Sequence, residues 1–335
     1  MKYRTLPQTE IELSEIGFGV WTVATNWWGH IEDNDKRLLL ENAIELGINF
    51  FDTADTYGEG FGEEVLSKYI SHKRHDIVIA TKFGYDFYDK TPRIGHQERP
   101  QKFEPDFIKF ACEQSLKRLK TDYIDIYQLH NPRIDTIEQD YVFETLEELK
   151  SEGKILHYGS ALGPDIGWFE EGEASMIERK VKSLQIIYSI LEQDPARSFF
   201  PIAEEKEVGL ISRVPHASEA LTGKYTEPPV FKEGDHRSHR RIEWLQWALQ
   251  RVEKIDFIHG EELGRTLSQA AILFCLKQPT IVSVLPNITN LQDLNHFVES
   301  LECPLFTPQE DDEILDLWNN DFKSQGEQEQ NLTEV

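Results

Sequence analysis

Only three cysteines occur in 335 residues, Cys112, Cys275 and Cys303, and none forms a CxxC pair. That scarcity argues against a disulfide framework and against a zinc site built on thiolates. Long apolar runs are missing too: no stretch approaches the ~20 residues a membrane-spanning helix needs. The opening residues, Met1-Lys2-Tyr3-Arg4-Thr5, contain no apolar signal core, so the expected location is the cytoplasm. Asn287-Ile-Thr289 and Asn331-Leu-Thr333 match the glycosylation pattern, but without a secretory leader they read as ordinary polar residues. Positive charge is sparse. Lys plus Arg total 35 against 60 Asp plus Glu, a formal charge of −25. Such a field repels nucleic-acid backbones and anionic membrane surfaces, so neither is an expected partner. A small anion in a locally positive pocket remains compatible with it.

What is present supports a large core. Apolar residues make up 39% of the chain, with 19 Phe, 11 Tyr and 7 Trp. Short β-rich runs alternate with helical patterns. The runs cover residues 15–20, 48–52, 77–82, 123–129, 155–160, 183–187, 209–212 and 280–285. Helical patterns cover 35–46, 62–71, 105–119, 138–151, 165–179, 197–206, 268–276 and 290–300. Alternation of this kind implies parallel strands joined by right-handed crossovers. Eight units imply an α/β fold of the (β/α)8 TIM barrel type. Three segments are additional: an N-terminal hairpin over 3–13, a helix over 241–257 and a helix over 308–318. Residues 1–322 are therefore expected to form one domain, and 323–335 a disordered acidic tail. Gly17-Phe18-Gly19 lacks the third glycine of a dinucleotide-binding loop and is not read as one.

Catalytic groups in such a barrel project from the C-terminal ends of the strands. Reading each end gives Asp52, Lys82 and His130, with Tyr57 in the loop after Asp52. Singly, each has an ordinary explanation as a helix cap, a rim contact or a satisfied core residue. Together, four ionisable groups on successive rims point to one site. A phenol titrates near 10, too high for an efficient acid at neutral pH. A neighbouring ammonium lowers that value, and a buried carboxylate holds the ammonium in place. No serine or cysteine is paired with a base, and the carboxylates are too few for glycoside hydrolysis.

Three segments, Gly47-Ile-Asn-Phe-Phe-Asp-Thr-Ala-Asp-Thr-Tyr-Gly58, Ile79-Ala-Thr-Lys82 and Asp122-Tyr-Ile-Asp-Ile-Tyr-Gln-Leu-His130, carry a resemblance to the aldo-keto reductases. Leu221-Thr-Gly-Lys-Tyr225 and Ser283-Val-Leu-Pro-Asn287 extend it, so that it runs from about residue 3 to about residue 300. The resemblance implies a tetrad of Asp52, Tyr57, Lys82 and His130, with Tyr57 as general acid. It implies a nicotinamide dinucleotide extended over the barrel mouth, NADPH ahead of NADH, and no metal. The implied cofactor residues are Gln185, Arg213, Pro215, Ser283, Pro286, Asn287, Thr289 and Gln292. The implied substrate is a small carbonyl compound reduced to an alcohol, and the oligomeric state is left open. Two other readings stand beside it: a nucleotide-sensing regulatory barrel with little turnover, and a lyase using Lys82 as a Schiff base.

The chain departs from the family pattern in several places. After the fifth strand it reads Gly159-Ser160-Ala161-Leu162 rather than Gly-Val-Ser-Asn. Thr289 stands where the family carries the basic residue that grips the 2′-phosphate, and His296-Phe297 replaces a Glu-Asn pair that recognises adenine. A basic run, His236 to Arg241, is a candidate cover for the site. Trp21, Trp27 and Trp28 suit an apolar or aromatic carbonyl compound, and residues 85–103 are expected to shape the pocket.

Overall fold

A computed structural model describes residues 1–90, 99–163, 168–231, 235–239 and 241–323. Apart from Lys323, the expected tail lies outside the described residues, as does the start of the helix expected over 165–179. The hairpin forms from β1 (Tyr3–Thr5) and β2 (Glu12–Ser14), with Arg4 opposite Leu13. Eight parallel strands follow: β3 (Phe18–Gly19), β4 (Phe50–Asp52), β5 (Val78–Phe83), β6 (Ile124–His130), β7 (Ile155–Ala161), β8 (Ser183–Ile187), β9 (Gly209–Arg213) and β10 (Ile281–Leu285). Each pairs with the next in chain order. The ring closes where Ile16 bridges Val284: Gly17 N–H donates to the Val284 carbonyl at 2.9 Å, and Val284 N–H to the Glu15 carbonyl at 2.8 Å. β3 is thus shorter than the expected 15–20, because residues 15–17 face the last strand as a single bridge.

Helices return the chain between strands, among them Asp33–Glu45, Phe61–Ile70, Pro105–Leu119, Asp140–Ser151 and Leu267–Leu276. The helix expected over 138–151 is preceded by a separate turn, Ile134–Ile137. The inserted helix spans Ile242–Lys254 and the last one Pro308–Asn319. The last helix opens with a full capping box from Thr307 and Glu310.

Strand alternation sorts the core into two. All six residues of β5 are buried, as a parallel strand covered on both faces requires. One cluster fills the lumen: Phe50, Val78, Ala80, Ile126, Ile211 and Val282, floored by Leu6 and Leu13 of the hairpin. The other lies between strands and helices. Continuing two residues along from Phe50, Ala80 and Ile126 brings Asp52, Lys82 and Gln128 onto the same inward face. A polar layer therefore sits on an apolar one, at the C-terminal end of the barrel.

Candidate active site

That polar layer is cross-braced. Lys82 Nζ lies 2.6 Å from Asp52 Oδ2 and also donates to the Thr53 carbonyl at 2.8 Å. The second carboxylate oxygen, Oδ1, accepts from Gln128 Nε2 at 3.0 Å and from Gln185 Nε2 at 2.8 Å. Gln185 is on β8 and Asp52 on β4, strands that share no ladder, so this contact crosses the lumen. Both ionic side chains are almost wholly buried, at 0% and 1% exposure. A buried pair is tolerated only when its remaining polar atoms are satisfied, and here two amides and a carbonyl do that. Lys82 is thereby held as a positioned charge.

Tyr57 is set above this layer by the turn after β4. Its backbone N–H donates to the Ala54 carbonyl, and Gly62 N–H donates back to the Tyr57 carbonyl. Gly58 has φ of +61°, and a Cβ there would lie 2.5 Å from the Ala24 carbonyl oxygen. Only glycine meets both demands, which lets the turn close on the Trp21–Ala24 segment. The Tyr57 ring then meets Trp21, Trp27 and His130 edge-on, with centroids at 6.4, 6.0 and 6.0 Å. Lys82 Nζ sits 5.1 Å from the same ring.

The electrostatics differ in one respect from the sequence reading. Burial pushes the Tyr57 phenol above its ordinary pKa; the charges of Lys82 and Arg213 pull the other way without prevailing. Tyr57 is therefore protonated at neutral pH. His130 is driven well below the usual imidazole value, by burial first and then by Lys82 and Arg213. It is neutral at physiological pH, and its Nδ1 is buried with no hydrogen-bond partner among the described residues. Tyr85 packs edge-on against it at 5.1 Å. The arrangement offers a neutral phenol, a neutral imidazole and a fixed ammonium around one opening. That set can hydrogen-bond a carbonyl oxygen and give it a proton.

The expected cofactor residues are placed less uniformly. Arg213, at the end of β9, donates to the Leu162 and Gly163 carbonyls at 3.0 and 3.1 Å, tying itself to the segment after β7. Gln185 faces Asp52, as described. Pro215 and Pro286 are buried in the turns after β9 and β10. Asn287 accepts from the Trp21 indole at 2.9 Å. Thr289 donates to Asp293 at 2.9 Å, and Gln292 is exposed on the first turn of helix Leu291–Glu299. Ser283 departs from expectation: it is fully buried and its hydroxyl donates to the Ser14 carbonyl at 2.8 Å. The register of β10 shifts between Ile281 and Ser283, and such a shift turns the following side chains to the other face. Ser160 likewise accepts from Ser175 in the buried interior. In the basic run, Arg237 is engaged by Asp235, Glu219 and Tyr225 and lies 5.1 Å from the Trp28 ring, so the segment after β9 reaches the segment after β3.

Val214, Ala217, Ser218 and Glu219 all have φ between +47° and +74°. Left-handed backbone at four non-glycine positions is unusual, and such strain concentrates where loops hold ligands. The neutral, partly unpartnered donors at the mouth fit a nicotinamide ring and its carboxamide. Among the described residues, no group of three or more His, Cys, Asp or Glu is placed to hold a metal ion. No helix among them is long and apolar enough to cross a membrane.

The sequence reading missed Gln128. Gln128 sits inside an apolar run, but it shares the inward parity of Ile126 and His130, and that was the available signal.

Comparison with known proteins agrees with this fold. The model of the aldo/keto reductase family matches residues 15–319. The oxidoreductase YqkF of Bacillus subtilis is 31% identical over 92% of this chain and 94% of its own length. The holo form of aldo-keto reductase AKR11C1 from Bacillus halodurans superposes with a TM-score of 0.75 at 30% identity, covering 95% of this chain and 96% of that one. A probable voltage-gated potassium channel subunit beta of Arabidopsis thaliana is 25% identical over 92% of this chain and 94% of its own length. With the family model spanning nearly the whole barrel, the chain belongs to the aldo/keto reductase family.

Proposed function

We propose that the chain reduces an aldehyde or ketone to an alcohol with a reduced nicotinamide dinucleotide, Tyr57 being the proton donor. The observation that carries this reading is the meeting of Tyr57, His130 and the Asp52–Lys82 pair at one opening. The dinucleotide, when bound, supplies the hydride for the carbonyl carbon. The chain supplies the proton and the geometry. Tyr57 is protonated at rest, because burial outweighs the nearby positive charges. Once an alkoxide develops beside it, the phenol proton passes to that oxygen, and the Lys82 ammonium steadies the phenolate left behind. Asp52, held by Gln128 and Gln185, keeps Lys82 in place. Neutral His130 orients the carbonyl. Trp21, Trp27 and Tyr85 line the same opening, which suits an apolar or aromatic carbonyl compound.

The test is the loss of reduced-nicotinamide absorbance across an aldehyde and ketone panel. Tyr57→Phe is expected to lower kcat by about 10²–10⁴-fold while dinucleotide binding persists. Full activity in that variant would remove Tyr57 from the proposed role. The likeness to the potassium channel subunit favours one second reading, a regulatory barrel that binds the dinucleotide with little turnover. Binding without turnover on any member of the panel would select it.

A further inference from the structure

The family resemblance puts NADPH first, but the residues around the last barrel helix do not fit a 2′-phosphate. In barrels of this type, phosphate groups commonly settle in the loops after the seventh and eighth strands, against a helix N-terminus. Helix Leu291–Glu299 begins six residues beyond β10 and presents such an end. That end already holds an anion of its own. Asp293 Oδ2 accepts from Thr289 Oγ1 at 2.9 Å and from Asn290 Nδ2 at 2.8 Å. Its backbone N–H donates to Asn290 Oδ1 at 2.8 Å. Of the donors that a phosphate would use, the Thr289 hydroxyl and the Asn290 amide are taken by the Asp293 carboxylate, and the Asp293 N–H is taken by the Asn290 cap.

Compensating charge is thin. From Gln278 to Phe322 the chain has neither Lys nor Arg. Among the described residues, the cation paired with Asp293 is Lys224, whose Nζ lies 3.6 Å from Oδ1, an ion pair too long to be a hydrogen bond. Among the described residues, Oδ1 thus keeps its lone pairs. A carboxylate with open lone pairs accepts from vicinal hydroxyls and repels a phosphate dianion, which is how acidic residues separate NAD from NADP in other dinucleotide folds.

We propose that this chain selects the unphosphorylated dinucleotide, NADH over NADPH, and that Asp293 is the residue that discriminates. The proposal rests on the preceding reading that the barrel mouth binds a nicotinamide dinucleotide. Asp293 Oδ1 takes the adenosine ribose hydroxyls, while its charge and that of a 2′-phosphate repel across the same gap.

The experiment is a binding titration of the full chain with NADH and NADPH at one fixed ionic strength, read by calorimetry. NADH is expected to bind at least about tenfold more tightly, the size of effect one unscreened like charge produces near a surface. Asp293→Asn keeps the size of the side chain and removes its charge; it is expected to tighten NADPH by about tenfold and to weaken NADH by removing the charge from its ribose contact, so that the preference collapses. Fragments localise the effect: 5′-ADP should displace bound NADH at lower concentration than 2′,5′-ADP. Equal or tighter binding of NADPH by the unaltered chain overturns the proposal and leaves the reductase reading standing. An NADH preference that Asp293→Asn leaves intact removes Asp293 from the role. Failure to bind either dinucleotide overturns both readings. The wild-type ratio and the fragment series need no variant, so a poorly folded Asp293→Asn does not shield the proposal.

Discussion

On the β4–β6 side of the mouth, each functional group sits on a strand or within one turn of it, and the groups hold one another. Asp52 is gripped from three strands by Lys82, Gln128 and Gln185. On the β7–β10 side, Gln185 apart, the expected groups lie mostly at strand ends and in loops and are tied to other partners: Arg213 to Leu162 and Gly163, Asn287 to Trp21, Thr289 to Asp293. The difference teaches where residue identity matters. Inward-facing strand positions have a fixed direction, so chemistry there demands particular side chains. Loops can bind with backbone groups, so their side chains are freer to change.

The comparison is broken most forcefully by Lys82→Met. It leaves Asp52 as a buried charge without its cation, which costs about 3–5 kcal/mol. A fall of that size in urea-unfolding free energy, together with lost turnover, is expected. A drop below ~1 kcal/mol would mean the layer is not braced as described.

A smaller effect follows from His130. Its folded pKa is depressed, so below about pH 6.5 the unfolded chain takes up a proton that the folded chain refuses. Stability is whole above that pH and is lost as pH falls through it, by up to about 1.4 kcal/mol per pH unit for one proton. His216, lowered to about 4, adds a share of the same sign. His130→Gln is expected to make the loss between about pH 6.5 and 5 shallower, as read from urea midpoints at stepped pH. An unchanged slope would show that His130 is not held neutral.

The smallest effect tests the loop side. Arg213→Leu removes two hydrogen bonds to carbonyls in a half-exposed place and is expected to cost about 1 kcal/mol or less. Its main readout is a weaker grip on the dinucleotide, of the order of tenfold, with kcat on bound cofactor changed less. If Arg213→Leu destabilises as much as Lys82→Met, the contrast between the two sides disappears.

Much of the architecture was legible. Parallel strands buried on both faces read as apolar runs, and their number and spacing gave the barrel with its hairpin and two added helices. Asp52, Lys82 and His130 were read from the ends of strands and Tyr57 from the loop after Asp52; the role of Gly58 in closing that turn emerges only in the fold. Gln128 was hidden by apolar neighbours. Ser283 was misplaced because a register shift in β10 leaves no mark in the sequence. Asp293 lies in a first helical turn, where acidic residues commonly complement the dipole, and its pairing with Lys224 joins residues nearly seventy positions apart. The direction of the Tyr57 pKa depended on how deeply the aromatic ring of Trp21, Trp27 and His130 encloses it, a tertiary quantity.

The closing seam between residues 15–17 and β10 is one of the thinner joints of the barrel, as is the two-residue pairing of β3 with β4. Two backbone hydrogen bonds hold the seam, whereas β6 and β7 meet along six residue pairs. Sparsely paired backbone opens at lower free energy than long ladders, so amide exchange is expected to be faster here than along β6 and β7. Just above this joint, the Trp21–Asn287 hydrogen bond joins the loops after β3 and β10. A molecule lying across both loops would touch the two sides of that seam at once and so act as a clasp on it.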